Sequence, residues 1–257
     1  MKPFISIHKL SFFISLFCAP VSFLAQDNTR TADVISNDSI EKIMLVPFEP
    51  KLYMSDIDRK VNEETNWNFN QIREYFRHEL NTQIQFKLKK IAPVISFYTD
   101  SLKRAKDLKY IYESTTLSYD LVEPNTNSSQ STAKQKGIKN GQIVVEINTD
   151  KKFMNKKILD PKLITYLHKK YNTNYFVFIN ELDFQTNMES YNISTDSYQR
   201  TVSVHYSIID KDSKTIKAGI IHSTFSSKQN NPKKIVSQNF TAKANNISSQ
   251  FSSIITH

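Results

Sequence analysis

The sequence predicts an α/β fold, at the border with α+β, in which a mixed β-sheet is flanked by amphipathic helices. Residues 43–48, IMLVPF, form a continuous apolar run that is typical of a strand covered on both faces. Helical and strand-like segments then alternate along the chain, which favours a layered domain. A C-terminal β-hairpin precedes one long amphipathic segment, and we expect this closing helix to pack back on the sheet.

The first 25 residues have the pattern of a secretory signal peptide. Lys2 and Lys9 give the first ten residues a positive charge. An apolar segment over residues 11–25 ends at Ala25, and a polar chain follows from Gln26. A positive start and a short apolar core indicate export and cleavage, with a retained membrane anchor as the alternative. The predicted organisation is a signal peptide over residues 1–25, a flexible leader over residues 26–41 and a single α/β domain over residues 42–257.

Cys18 is the only cysteine, and it lies inside the predicted signal peptide. A lipoprotein signal places a small residue before its cysteine, whereas Phe17 stands here, so we do not expect lipidation. Cleavage after Ala25 leaves no cysteine, which excludes a disulfide framework, a thiolate metal site and a cysteine nucleophile. We therefore expect an exported protein that is periplasmic or associated with the outer membrane.

The chain is basic, with a formal net charge of +9 that falls to +7 when Lys2 and Lys9 are removed with the signal peptide. Of the 34 basic residues only 6 are arginine, the residue that recognises phosphates and base edges through paired N–H donors. The lysines are scattered along the chain. We therefore expect no specific nucleic-acid binding, and the charge favours a lysine-rich surface near anionic lipid or polysaccharide.

The first half of the domain contains a long polar segment and two predicted helices. Residues 49–66 are predicted to connect the first strand to a helix that begins near Trp67 and is ended by Pro93. Residues 94–98 form a short apolar piece, and residues 99–114 a second helix capped by Thr99 or Asp100. The predicted inward positions are Phe69, Ile72, Phe76, Leu80, Ile84 and Leu88 in the first helix, and Leu102, Ala105, Leu108 and Ile111 or Tyr112 in the second.

The second half begins with a polar segment over residues 121–141, which is predicted to be a loop or a disordered insertion. Residues 141–149 have strand character, and Phe153, Met154 and Asn155 are predicted to lie in a strand-to-helix connection. Asp160 and Pro161 then open a helix that buries Leu163, Ile164 and Leu167. A strand is predicted over residues 174–184, and a hairpin over residues 200–225 with the turn DKDSK. A final helix follows Asn231 and Pro232. Its predicted apolar stripe is Val236, Phe240, Ala244, Ile247, Phe251 and Ile254.

Three short motifs carry a resemblance to a known family. Pro47 and Phe48 end the predicted first strand, a tyrosine, aliphatic and polar string runs over residues 175–181, and Asp210 and Asp212 lie in the hairpin turn. This pattern resembles the TolB N-terminal and CsgG-like α/β domains of Gram-negative envelope proteins over residues 42–255. The resemblance implies a non-enzymatic role in docking, assembly or secretion at the outer envelope.

The best candidate binding residues follow the first strand. Open α/β sheets bind ligands beyond the carboxyl ends of their strands, and long connections in compact domains are often functional. The segment over residues 49–66 carries Tyr53, Ser55, Asp56 and Asp58. It is interpreted as a partner-docking loop, as a site for a hard cation bound by the two aspartates, or as a plain connection.

His205 and His222 form a second candidate pair. A hairpin register that pairs Val204 with Ser223 and Tyr206 with Ile221 places the two imidazoles opposite each other, on the face away from Val204 and Tyr206. There they could share a metal ion, although no third ligand is evident. The alternative is two surface histidines.

The sequence contains no recognisable catalytic or cofactor motif. The patterns G-x-S-x-G, H-E-x-x-H and G-x-x-x-x-G-K are all absent from the chain. We therefore expect no cofactor and no enzymatic activity, but an exported cell-envelope accessory protein that binds envelope proteins or an outer-membrane assembly. The alternatives are a protein that binds polyanions, either polysaccharide or anionic lipid, and a metal-assisted hydrolase that uses the aspartates or the histidine pair.

Overall fold

The computed structural model describes residues 42–99, 101–121, 136–139, 142–145 and 152–255. The predicted signal peptide and leader, and much of the predicted insertion, lie outside these residues. The strands are β1 (Ile43–Val46), β2 (Tyr53–Ser55), β3 (Val94–Ser96), β4 (Thr115–Leu121), β5 (Lys136–Lys139), β6 (Gln142–Val145), β7 (Lys152–Ile158), β8 (Tyr175–Asn192), β9 (Ser197–Asp210) and β10 (Thr215–Ser226). The helices are α1 (Asp58–Thr65), α2 (Phe69–Leu88), α3 (Ala105–Glu113), α4 (Lys162–Tyr171) and α5 (Pro232–Ile255).

The main sheet is mixed, as the sequence predicts. Its strand order is β10-β9-β8-β1-β3, and β2 pairs with β8 beyond the end of β1. β1 is parallel to both of its neighbours, β3 and β8, whereas β9 and β10 form the antiparallel hairpin. The predicted α/β class, with a C-terminal hairpin and a closing helix, is confirmed.

β1 is buried on both faces, which explains its uninterrupted apolar sequence. Ile43 and Leu45 belong to the core beneath α2 and α5, while Met44 and Val46 belong to a second core that includes α3 and α4. All four side chains are at most 1% exposed. A strand between two helical layers cannot alternate apolar and polar residues, because both of its faces exclude water.

The predicted apolar stripe of α2 is confirmed except at its first position. The helix begins at Phe69, where Asn68 and Gln71 form a capping box. The stripe from Ile72 to Leu88 is buried, but Phe69 is 60% exposed. Its expected role as a core anchor is wrong, because the first turn of α2 borders a surface concavity rather than the sheet.

The second predicted helix is shorter than expected and buries only part of the predicted stripe. α3 starts at Ala105 rather than near Thr99, and Leu102 is 94% exposed. The helix buries Ile111, as predicted, together with the carboxylate of Asp107, and Leu108 is partly buried against the same core. That carboxylate accepts hydrogen bonds from three residues of α4, which are Tyr166, Lys170 and Tyr171. These contacts offset the cost of burying a charge.

Two segments predicted to be irregular contain regular structure. Residues 49–66 form a short 3-10 helix over Pro50–Leu52, then β2 and α1, so the long connection predicted there is wrong. Residues 153–155 lie in β7, which pairs with β4, and not in a connection. β5 lies within the predicted insertion and pairs with β6, which follows the insertion and confirms part of the strand predicted over residues 141–149.

The later elements start where the sequence predicts. The Asp160 carboxylate accepts a hydrogen bond from the Lys162 N–H at 2.9 Å, and Asn231 Oδ1 accepts one from the Lys234 N–H at 3.2 Å. The predicted stripe of α5 is buried from Val236 to Phe251, while the side chain of Ile254 lies outside the described residues. Within the part of the chain that the structure describes, no helix is both long and apolar enough to span a membrane.

Candidate functional site

A concavity of about 390 Å³ opens beyond the carboxyl end of β1, where β2, α1 and α2 meet. β2 is held there by parallel pairing with residues 182–184 of β8. The structure brings together all four residues of the predicted loop site and adds four that were not predicted to belong to a site, one of which, Phe69, was predicted to face the core. The lining residues are Tyr53, Ser55, Asp56, Asp58, Arg59, Phe69, Asn70 and Arg73.

Asp58 is the centre of the hydrogen bonding on one wall of the concavity. Its Oδ1 accepts hydrogen bonds from the Tyr53 hydroxyl and from Ser55 Oγ, each at 2.6 Å. Burial raises the pKa of Asp58, and burial together with the Asp58 charge raises the pKa of Tyr53 well above its usual value. The phenol therefore stays protonated at neutral pH and donates to Asp58, which fixes this wall in place.

Tyr53→Phe is expected to destabilise the fold by about 1–2 kcal/mol, because Asp58 loses one of the two donors that compensate its partial burial. Urea unfolding measures this change. Tyr191→Phe is the matched control, since the Tyr191 hydroxyl also donates to an aspartate five residues later, at 2.8 Å, but on the exposed surface. The Tyr191→Phe change should lower the free energy of unfolding by less than about 0.5 kcal/mol. Equal losses in the two variants would show that burial of the Asp58 pair adds nothing.

Asp56 also has a structural part in the site. Its Oδ2 accepts the backbone N–H of Thr186 at 3.0 Å, and its own N–H donates to the Phe184 carbonyl at 2.9 Å. These two bonds extend the pairing of β2 with β8 by one residue. Both aspartates of the predicted cation site therefore already hold protein donors.

The two arginines on the concavity keep most of their hydrogen-bonding capacity. Arg59 Nε donates to Glu63 at 3.2 Å, and Arg73 Nη2 donates to Asn70 at 3.1 Å. Arg73 Nε lies 3.5 Å from the Glu74 carboxylate without forming a hydrogen bond. A guanidinium has five N–H donors, so each arginine uses one of them among the described residues. The concavity can therefore bind carboxylate or phosphate oxygens, and the exposed ring of Phe69 adds an apolar contact.

The predicted histidine pair differs in register and in environment. His205 pairs with Ile220 and His222 with Ser203, so the hairpin is shifted by two residues from the predicted register. His205 is only 5% exposed, and its Nδ1 accepts the Met154 N–H of β7 at 2.8 Å. Burial, with a smaller contribution from His222, lowers the pKa of His205 to about 4. His205 is thus a neutral contact between β9 and β7 and not a surface histidine.

A buried polar layer surrounds His205 on this face of the sheet. The Glu181 carboxylate lies 3.9 Å from His205 Nε2, and Asp183 follows on the same strand. Burial raises the pKa of Glu181 to about 7, with a further contribution from the Asp183 charge. Burial also raises the pKa of Asp183 to about 6, although the Gln185 amide acts in the opposite direction. Among the described residues, no group of three or more His, Cys, Asp or Glu side chains is arranged to hold a metal ion.

The sequence alone did not identify Glu181, Asp183, Arg59 or Arg73. The two acids lie in the segment YFVFINELDF, where the apolar pattern indicates only a buried strand. A possible signal was the presence of two acids inside that strand, because buried carboxylates are rare without a specific environment. The arginines carry no sequence signal, since only the turn from α1 into α2 brings them to one surface.

Comparisons with known proteins do not place the chain in a family. No protein-family description and no curated protein matches it. Among solved structures, lipoprotein GNA1162 from Neisseria meningitidis aligns over 81% of this chain and 99% of its own, with 13% identity and a TM-score of 0.36. The hypothetical protein CT253 from Chlamydia trachomatis aligns over 82% and 96%, with 10% identity and a TM-score of 0.38. Likenesses at this level carry no argument about function, and the resemblance to TolB N-terminal and CsgG-like domains stays a prediction.

Proposed function

We propose that this protein is an exported cell-envelope accessory protein that binds a partner protein through the concavity beside β2. The observation that carries the proposal is the pair of arginines, Arg59 and Arg73, with unused donors beside the exposed ring of Phe69. This combination suits a partner segment that carries a carboxylate next to an apolar side chain. The predicted signal peptide and the TolB-like pattern support the envelope location.

The surroundings of the concavity favour binding over catalysis. The Ser55 hydroxyl donates to Asp58, which also accepts the Tyr53 hydroxyl, and no histidine is among the described residues that line the concavity. The base beside Ser55 is therefore a carboxylate and not an imidazole, and the Asp58 oxygen that accepts the Ser55 hydroxyl also accepts the Tyr53 hydroxyl, so it is already engaged by the protein. The hydrolase alternative receives less support for the same reason, because Asp56 and Asp58 both accept hydrogen bonds from the protein itself.

Site-directed photo-crosslinking in intact cells tests the proposal. A photoreactive residue at Phe69 should give one discrete adduct, whereas the same residue at Leu102, which is 94% exposed and does not line the concavity, should not. The variant Arg59→Ala with Arg73→Ala should remove the Phe69 adduct while leaving the unfolding temperature nearly unchanged. An adduct that persists without the arginines, or equal adducts from Phe69 and Leu102, would contradict binding at the concavity.

A further inference from the structure

The opposite end of the sheet, where β1 begins, gathers lysines from four separate parts of the chain. Lys42 immediately precedes β1, and Lys89 and Lys90 follow α2 just before Pro93, whose carbonyl accepts the Ile43 N–H at 2.9 Å. β8 begins at the same end, because Tyr175 pairs with Ile43. The last turn of α4 precedes β8 and contributes Lys169, and the β9–β10 turn contributes Lys211 and Lys214.

This basic end is poorly neutralised by the protein itself. Within the part of the chain that the structure describes, these lysines form no ion pair, nor does Lys87 in the last turn of α2. Lys170, by contrast, is paired with Asp107. The carboxylates in the β9–β10 turn are Asp210 and Asp212, and Asp210 Oδ1 accepts backbone N–H groups of its own turn. The end as a whole therefore attracts anions.

An exposed aromatic ring lies within this cluster of lysines. Phe86 is 59% exposed on the last turns of α2. Lys90 Nζ lies 4.9 Å from the centre of its ring and Lys87 Nζ lies 6.0 Å from it. An apolar ring flanked by lysines suits a membrane interface, where the ring enters the boundary of the acyl chains and the ammonium groups remain among the phosphates.

We propose that the basic end around Phe86, Lys87, Lys89 and Lys90 docks on an anionic lipid bilayer. Lysines near an anionic bilayer each add to the attraction, and Phe86 adds an apolar contact that a polysaccharide or a nucleic acid offers less readily. Residues 1–41, which include the predicted signal peptide, join the domain at Lys42, at this same end. Docking in this orientation leaves the concavity beside β2 at the far end of the sheet, accessible to a partner.

Flotation of residues 26–257 with lipid vesicles tests the docking surface, because this chain contains the whole compact unit from Ser39 to His257. The vesicles are phosphatidylcholine with or without phosphatidylglycerol. Binding should require phosphatidylglycerol and weaken with added salt. The triple change Lys87→Gln, Lys89→Gln and Lys90→Gln should reduce binding about tenfold or more. Phe86→Ala should also weaken binding to the vesicles, whereas Phe86→Trp should bind about as well as the wild type.

A matched triple change at the other end separates a defined surface from general charge attraction. Lys228, Lys233 and Lys234 are exposed, and they lie after Ser226, which ends β10 far from the start of β1. Their replacement by glutamine removes the same charge and should change binding less than about threefold. Equal losses from the two triple variants would overturn the proposal. So would binding that is insensitive to Phe86, or equal affinity for vesicles without phosphatidylglycerol.

Discussion

Phe76→Ala is expected to destabilise the protein by about 3–5 kcal/mol, the usual cost of removing a buried aromatic ring from a core. Phe76 is fully buried, and its ring centre lies 4.8 Å from that of Phe184 and 6.0 Å from that of Phe240. It therefore joins α2 to β8 and to α5 at one point. Urea or guanidinium unfolding, followed by circular dichroism, measures the loss.

Phe69→Ala is the matched control, because it removes the same ring one heptad earlier on the same predicted stripe. Phe69 is 60% exposed, so its replacement should cost less than about 0.5 kcal/mol. The helical pattern predicts the same burial for both phenylalanines, so a difference between the two variants measures the effect of the packing around Phe76. Similar losses for Phe69 and Phe76 would show that the first turn of α2 is packed as the sequence pattern suggested.

Glu181→Gln is expected to stabilise the protein at pH 8 and to leave its stability almost unchanged near pH 4.5. The folded-state pKa of Glu181 is raised from 4.5 to about 7, so the folded protein resists ionisation of this group. Its contribution to stability is present below pH 4.5 and is lost as the pH rises through about 7. At about 1.4 kcal/mol per pKa unit, the free energy of unfolding of the wild type falls by roughly 3 kcal/mol between pH 4.5 and pH 8 because Glu181 ionises. The Glu181→Gln variant does not undergo this loss, because its side-chain amide does not ionise.

The measurement is the difference in unfolding free energy between variant and wild type at several pH values. His205 titrates in the opposite sense, because its lowered pKa removes stability as the pH falls from about 6.5 towards 4, but this occurs in both proteins. Glu189→Gln, which removes one exposed carboxylate from the same strand, is the control for the loss of a negative charge. A Glu181→Gln variant that is no more stable than the wild type at pH 8 would contradict an ionised, buried Glu181.

The two proposed surfaces lie at opposite ends of the sheet, and one helix, α2, contributes residues to both. The basic end holds Lys89 and Phe86 where β1 begins, and the concavity holds Arg73 and Phe69 beyond its carboxyl end. α2 spans the distance between them, with Phe69 as its first residue and Lys87 in its last turn. A protein docked at one end and binding at the other would present its partner site away from the membrane.

The sequence by itself determined the elements whose signals are local. The apolar run of β1, the stripe of α2 from Ile72 onwards, the β9–β10 hairpin and the stripe of α5 are written in the spacing of neighbouring residues. The hydrogen bonds that precede α4 and α5 are local as well, since the Asp160 and Asn231 side chains each accept a backbone N–H two or three residues away. These patterns were sufficient to predict the α/β class, and they drew attention to the segment after β1 that lines the concavity.

Only the tertiary structure decided the features that depend on partners distant in sequence. β2 forms because β8 offers it an edge, although Tyr53 and its strand partner Leu182 are far apart in the chain. The hairpin register pairs His205 with Ile220 and His222 with Ser203. His205 and Glu181 are buried, and His205 accepts a hydrogen bond from Met154 of β7, about 50 residues away in the sequence. The physical reason is that burial and strand pairing are set by whichever segment lies opposite, and no short window of sequence contains that segment.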